Sequence, residues 1–384
     1  MGEYITFEES ISAFEALVKE QQERHNAMSQ TQKTIMKDKD KIVIGLIAGD
    51  GIGPLIMEES QRVLKRLLSK DEAANKVEFR TIEGLTLENR IAKEATLPDD
   101  VLSEIKECDV FLKGPTTTPD NREKGINLES ANVALRRALD LYANVRPVSI
   151  PEMNIDWMFF RENTEGEYVL GSQGIDLGDI AFDFKVTTTN GTRRIARAAF
   201  EYAKANGNCK VTIVTKANIM KKTDGKFLKI SYDVAKEYPE IPVDDRYVDI
   251  MAANLINPLT QSDFKVILTP NLYGDILTDE AAQLQGGVGT AGSGNIGDKY
   301  AMFEAIHGSA PRMVTSGRGQ YANPASLMKA GEMLLRHIGK IHEANTLKAA
   351  LAFANSNHTM TRDATGDKGW EYTNTVLAFI DKNL

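Results

Sequence analysis

Apolar residues recur along this chain in two rhythms, short continuous runs and helical spacings, and the two alternate. Residues 7 to about 31 place Phe7, Ile11, Phe14 and Leu17 at helical spacing behind Thr6, a residue suited to capping, and predict an amphipathic helix. A polar, Gln- and Lys-rich stretch follows to Lys41. Residues 41–48 then read as an apolar strand, and a glycine turn at 49–54 leads through Pro54 into a helix reaching about residue 69. The same alternation gives a strand near 77–81, a helix from about 98 and a strand at 109–113, closed by the hydroxyl-rich turn 114–119. Beyond it lie an apolar strand at 157–160, a strand-like stretch with glycine turns at 166–189, and a helix at 192–205. A strand at 210–215, helices near 226–238 and from 249, a strand at 264–269 and helices at 325–338 and 341–355 follow. Strand–helix alternation of this kind predicts an α/β protein with a mainly parallel sheet and ligands at the carboxyl ends of its strands.

Composition narrows the class. The 384 residues are 42% hydrophobic and 26% charged, enough for two globular domains. A net charge of -8 argues against a general nucleic-acid binder, and no apolar run is long enough for a membrane span. Cys108 and Cys209 stand far apart and suit small core residues in a reducing compartment. Acidic residues spread through the first twenty positions do not fit a secretory signal or presequence, so the expected location is the cytoplasm.

The candidate chemistry centres on residues 271–280. Asp275 and Asp279 are four apart, so near a helix start they share a face. Two carboxylates there suit Mg²⁺ or Mn²⁺, or else simply complement the helix dipole. Arg136, Arg137, Arg146 and Arg161 stand near Ser130 and Asn132; converging arginines suit a di- or tricarboxylate, whereas singly each reads as a surface ion pair. The loop at 49–54 has no dinucleotide fingerprint and reads as a structural turn. His307 reads either as a cofactor contact or as a bonded core histidine.

Taken together, the motifs GDGIGP at 49–54, the Ser/Asn/Arg segment at 130–146, RENTEGEY at 161–168, TKANIM at 215–220, NLYGDILTDEAA at 271–282 and EAIHGSAP at 304–311 resemble, in order, the β-decarboxylating isocitrate and 3-isopropylmalate dehydrogenases. The resemblance covers the chain from about residue 41 onward. It implies an α/β isocitrate/isopropylmalate dehydrogenase-like fold with two domains flanking a cleft. The large domain takes 41–141 and 286–384, the small one 142–285 with a dimer clasp at about 166–189, and residues 1–40 are an extension. It further implies that Arg136, Arg146 and Arg161 bind substrate carboxylates with Ser130 and Asn132 on a third. Those two polar residues stand where isopropylmalate enzymes are apolar, which points to isocitrate. Asp275 and Asp279 are the implied Mg²⁺ or Mn²⁺ ligands. Asp249, as a further metal ligand, and Lys216 are implied to arrive from the neighbouring subunit of a homodimer, with Lys216 and Tyr168 catalytic.

For the coenzyme the resemblance implies Thr117, Thr118, Glu304, His307, Gly308, Asn323 and Asp363. Arg312, where NAD-using members commonly carry an acid, and the nearby Arg362 tilt the reading from NAD towards NADP. The sister readings are an enzyme for homoisocitrate, 3-isopropylmalate, tartrate or D-malate, and a non-catalytic regulatory subunit.

Overall fold

The computed structural model describes the chain except residues 1–4, 29–33, 35, 37–38, 119–127, 171–172, 288–290 and 361–365. It is an α/β chain that divides into two compact units. The split unit takes residues 34–141 and 282–384; the middle unit takes 142–281 together with the N-terminal residues to 33.

In the split unit the described strands run in the order Val77–Thr81, Ile42–Ile47, Val110–Lys113, Ala301–Ala305 and Gly292–Ile296. Neighbours are parallel until the last pair, which is antiparallel. Parallel strands need crossovers, and the helix Gly53–Leu67 supplies one with Ile56, Met57, Val63, Leu64 and Leu67 turned inward. These pack with Ile44 and Leu46 of the strand and with the helices Ala325–His337, Ile341–Asn357 and Gly369–Asn383 into one core. Gly292 lets the helix Ala325–His337 lie against its strand, since a Cβ there would meet the Ala330 nitrogen at 2.5 Å.

In the middle unit the strand order is Ala143–Ile150, Ile155–Glu162, Val266–Thr269, Val211–Thr215 and Val243–Tyr247. The first pair is an antiparallel hairpin turned by Asn154 in the left-handed region (φ 54°), and the others are parallel. The helix Thr189–Ala205 covers the sheet with Ile195, Ala196, Ala199, Phe200 and Ala203, all buried. Within the 166–189 stretch, Ile175–Asp176 pairs with Ala181–Phe182 in a short antiparallel ribbon. The N-terminal helix Phe7–Ala27 carries a complete capping box, Thr6 with Glu9, and its Phe14 ring meets Phe184 at 5.2 Å between centroids.

One expectation is corrected. The helix holding Asp275 and Asp279 begins at Asn271 and runs to Leu284, with no acid in its first turn. The aspartates occupy later turns, beyond the reach of the end dipole, so helix-end decoration does not account for them. No helix among the described residues is long and apolar enough to cross a membrane.

Candidate active site

In the middle unit, two basic strand residues and one tyrosine converge on the Asn271–Leu284 helix. Arg161, 1% exposed at the end of its strand, gives Nε and Nη2 to Asn271 Oδ1 at 2.9 and 2.6 Å and pairs through Nη1 with Asp275. Its helix-facing space exists because residue 274 is glycine; a Cβ there would come within 2.6 Å of Arg161 Cγ. Arg146, on the neighbouring strand, reaches Thr278 Oγ1 at 2.6 Å, Asp279 Oδ1 at 3.2 Å and Asp275 Oδ1 at 3.8 Å. Tyr168 donates its hydroxyl to Asp275 Oδ2 at 3.1 Å and lies beneath the Arg161 guanidinium, 5.6 Å from the ring centre. Burial, then the charge of Asp275, pushes the phenol above its ordinary value, so it stays protonated at neutral pH.

The same unit brings together Lys216 and Asp249. The parallel register Thr215↔Tyr247 ends two strands side by side, so the residues that follow meet, and Lys216 Nζ pairs with Asp249 Oδ1. Hydrogen bonding to Lys216 holds the Asp249 carboxyl below its ordinary value. The buried Asp224 fixes the backbone beneath Lys216 by accepting its N–H at 2.7 Å.

The split unit holds the remaining expected residues. Gly49 and Gly51 both have positive φ, and Cβ atoms on them would strike Pro115 O and Ser309 O at 2.2 and 2.0 Å. The glycine loop thus lets three backbone segments meet, which is its structural role. Asp50 ties the meeting together by accepting from Leu87 N and Thr117 N, each at 2.8 Å. Thr117 and Ser309 share a hydroxyl bond of 2.6 Å, and Thr116 donates to Asn132 Oδ1 at 3.0 Å. Ser130 precedes the helix Ala131–Ala138, in which Arg136 reaches Glu304 Oε1 at 3.1 Å.

Glu304 also accepts from Asn295 at 2.8 Å and pairs with the fully buried Lys113 at 3.4 Å. Burial opposes its ionisation, but Lys113 and Arg136 outweigh that and pull its carboxyl down to about 2. His307 is partly exposed with Nδ1 3.0 Å from Gly308 O, while Gly308, Arg312 and Thr118 face solvent. Asn323 accepts from Ala325 N at 2.9 Å. Asp363, with Arg362, lies outside the described residues.

Sequence reading passed over Asp50, Asn271, Thr278 and Ser309. Each lies inside or beside a recognised motif, and only three-dimensional contact reveals what it orients. Asp275 and Asp279, with side chains 38% and 62% exposed, present hard oxygen ligands one turn apart, which fits a magnesium or manganese ion that shares its shell with water and substrate. Among the described residues no three acidic, histidine or cysteine side chains gather as a metal site, so Asp249 does not join this pair within one chain.

The isocitrate/isopropylmalate dehydrogenase family model matches residues 43–379. A regulatory chain of the mitochondrial NAD isocitrate dehydrogenase of Dictyostelium discoideum is 38% identical over 89% of this chain and 92% of its own length. The homoisocitrate dehydrogenase of Methanocaldococcus jannaschii is 37% identical over 88% of this chain and 98% of its own. The crystal structure of isocitrate dehydrogenase from Methylococcus capsulatus superposes with a TM-score of 0.75 at 34% identity, covering 88% of this chain and 99% of that one. With the fold, the family match over residues 43–379 and these relatives in agreement, the chain belongs to the isocitrate/isopropylmalate dehydrogenase family.

Proposed function

We propose that this chain is an isocitrate dehydrogenase that oxidatively decarboxylates isocitrate to 2-oxoglutarate and CO2. The observation that carries the reading is the convergence of Arg146, Arg161 and Tyr168 on Asp275 and Asp279. Guanidinium groups bind carboxylates as forks, so Arg146 and Arg161 grip the malate part of the substrate. Arg136, Ser130 and Asn132 supply polar contacts for the rest, which an apolar substituent could not return. The Lys216–Asp249 pair takes the proton from the substrate hydroxyl, and the Tyr168 hydroxyl returns one to carbon after CO2 departs. Asp275 and Asp279 would hold Mg²⁺ or Mn²⁺, which would supply Lewis-acid polarisation of the substrate oxygens. Thr117, Thr118, Glu304, His307, Gly308, Asn323 and Asp363 would hold NADP or NAD, which would supply the hydride acceptor; the exposed Arg312 favours NADP through its affinity for a 2′-phosphate.

The working unit is a homodimer. Ile219 and Met220 close to Lys216 in sequence, Ile250 next to Asp249, and Ile256 and Leu259 just past the helix Val248–Leu255 that carries Asp249 are exposed apolar side chains suited to a second copy, with Leu259 88% exposed. The ribbon at 175–182 is the clasp of this reading, and the partner's surface completes each site with Lys216 and Asp249. The Dictyostelium relative's name supports a second reading, a regulatory chain without turnover of its own. Against it, Lys216, Tyr168, Asp275 and Asp279 all stand.

A substrate panel tests the assignment. With Mg²⁺, kcat/KM for isocitrate is expected to exceed that for 3-isopropylmalate by about 100-fold, since the half-buried Ser130, Asn132 and Arg136 gain polar contacts from a third carboxylate and none from an isopropyl group. A preference for homoisocitrate or 3-isopropylmalate overturns the substrate, and a strong NAD preference overturns the coenzyme.

A further inference from the structure

The N-terminal helix Phe7–Ala27 precedes the family-matched region, which begins at residue 43. Its last turn is nevertheless bonded into the turn that follows Arg161. Arg24 Nη2 donates to Thr164 Oγ1 at 2.9 Å, and Nη1 lies 3.4 Å from Glu165 Oε1. Both recipients are buried. The Thr164 hydroxyl is saturated there: it donates to Glu162 Oε1 at 2.7 Å while accepting from Arg24 and, at 3.0 Å, from Arg194. Glu162 Oε2 in turn accepts the backbone N–H groups of Thr164 and Glu165 at 2.9 and 2.6 Å.

Glu165 accepts from Thr188 N at 2.8 Å and from the Thr188 hydroxyl. Its carboxylate fits only because residue 191 is glycine; a Cβ there would sit 2.2 Å from Glu165 Oε1. From this cluster a chain of bonds runs to the site. Asn271 Nδ2 donates to Glu165 O at 2.8 Å, Asn271 Oδ1 holds Arg161, and Arg161 and Tyr168 both meet Asp275.

We propose that Arg24 is a positioning residue: through it the N-terminal helix holds the 162–165 turn in the shape that aims Arg161 and Tyr168. This rests on the substrate role given above to those two residues. The electrostatics supply the reason an arginine is needed. Glu162 and Glu165 place two carboxylates in one buried turn, and such a pair stands only if cations face it. Arg24 comes from the N-terminal helix and Arg194 from the helix Thr189–Ala205. Burial and the Glu165 charge push the Glu162 carboxyl up to about 7 even with both arginines pulling it down. Without Arg24 the Thr164 hydroxyl and the Glu165 carboxylate lose their contacts to the N-terminal helix, and the turn loosens.

The test uses the full chain with Arg24→Met and Arg24→Lys, read in two ways. Hydrogen exchange of the ligand-free protein reports the Thr164 and Glu165 amides directly; Arg24→Met is expected to accelerate them about tenfold, and Arg24→Lys to restore most of the protection. In the isocitrate assay, Arg24→Met is expected to raise the KM for isocitrate about tenfold with the coenzyme KM within twofold of the parent. Unchanged exchange in Arg24→Met overturns the proposal. So does a fall in kcat with both KM values unchanged, which is the pattern of a smaller folded fraction. A parent enzyme inactive on isocitrate refutes the reaction assigned above, while the exchange data still decide whether Arg24 holds the turn.

Discussion

Glu304→Gln removes one carboxylate from the most enclosed charge cluster of the split unit. Lys113 has no exposed surface and Glu304 is 4% exposed, so neither charge is solvated by water. The carboxylate carries Lys113 at 3.4 Å, Arg136 at 3.1 Å and Asn295 at 2.8 Å. Glutamine keeps the volume and one acceptor but takes away the carboxylate paired with Lys113, leaving that buried cation with neutral acceptors such as Gly114 O at 2.9 Å and the weaker pull of Asp50. Breaking a buried pair from one side costs about 3–5 kcal/mol. At about 2–4 °C per kcal/mol for a unit of roughly 200 residues, the melting temperature falls by ~6–20 °C.

The pH dependence has a definite sign. In the parent, the Glu304 carboxyl titrates at about 2 when folded against 4.5 as its reference, so its contribution is present above pH 4.5 and fades as pH drops towards 2. Burial already lowers the Lys113 pKa, and loss of Glu304 lowers it further. Between that lowered Lys113 value and 10.5 the unfolded variant binds more protons than the folded one, so the variant's stability climbs with pH through that window. Thermal melts from pH 6 to 9 check this, together with Lys113→Met/Glu304→Gln, which removes the stranded cation and recovers most of the loss. A Glu304→Gln melting temperature within 2 °C of the parent refutes the reasoning.

Lys216→Met is expected to abolish overall oxidation, whereas Tyr168→Phe is expected to slow protonation after decarboxylation by about 10²–10⁴-fold, seen as a lag between CO2 and 2-oxoglutarate release. Near-parental rates for both would show the roles misassigned. Leu259→Asp places a charge on the exposed apolar side chain just past the helix Val248–Leu255 and is expected to shift the mass measured by light scattering from dimer to monomer; an unchanged mass places the interface elsewhere. Burial pushes the Cys108 thiol up to about 11, so at pH 8 only ~0.1% is thiolate, and maleimide labelling is expected to wait for unfolding.

The sequence made the apolar strands legible because burial on both faces leaves continuous runs, as in Ile42–Ile47, Val211–Thr215 and Val266–Thr269. It hid others for physical reasons. Gly292–Ile296, glycine-rich and without an apolar run, is a strand in which Gly292 admits a helix backbone at contact distance. Val243–Tyr247, rich in charge, is a strand of mostly half-buried residues. The aspartates and arginines were visible as residue types at suggestive spacings, but which arginine meets which aspartate depends on the hairpin register Ala143↔Glu162, and no local pattern encodes that. The depth of Asp275 in its helix likewise depends on a start at Asn271, a residue whose side chain is spent on Arg161 and Glu165 O. The attachment of the N-terminal helix was illegible because Arg24 and Glu165 are 141 positions apart.

The assignment of this chain as a self-sufficient isocitrate dehydrogenase is tested most directly by a mass balance on the chain purified alone with isocitrate, NADP and Mg²⁺. Equal amounts of reduced coenzyme, CO2 and 2-oxoglutarate are expected, with production halted by a chelator and restored by Mg²⁺ or Mn²⁺. No product from the isolated chain with either NADP or NAD, alongside an intact fold, would contradict it.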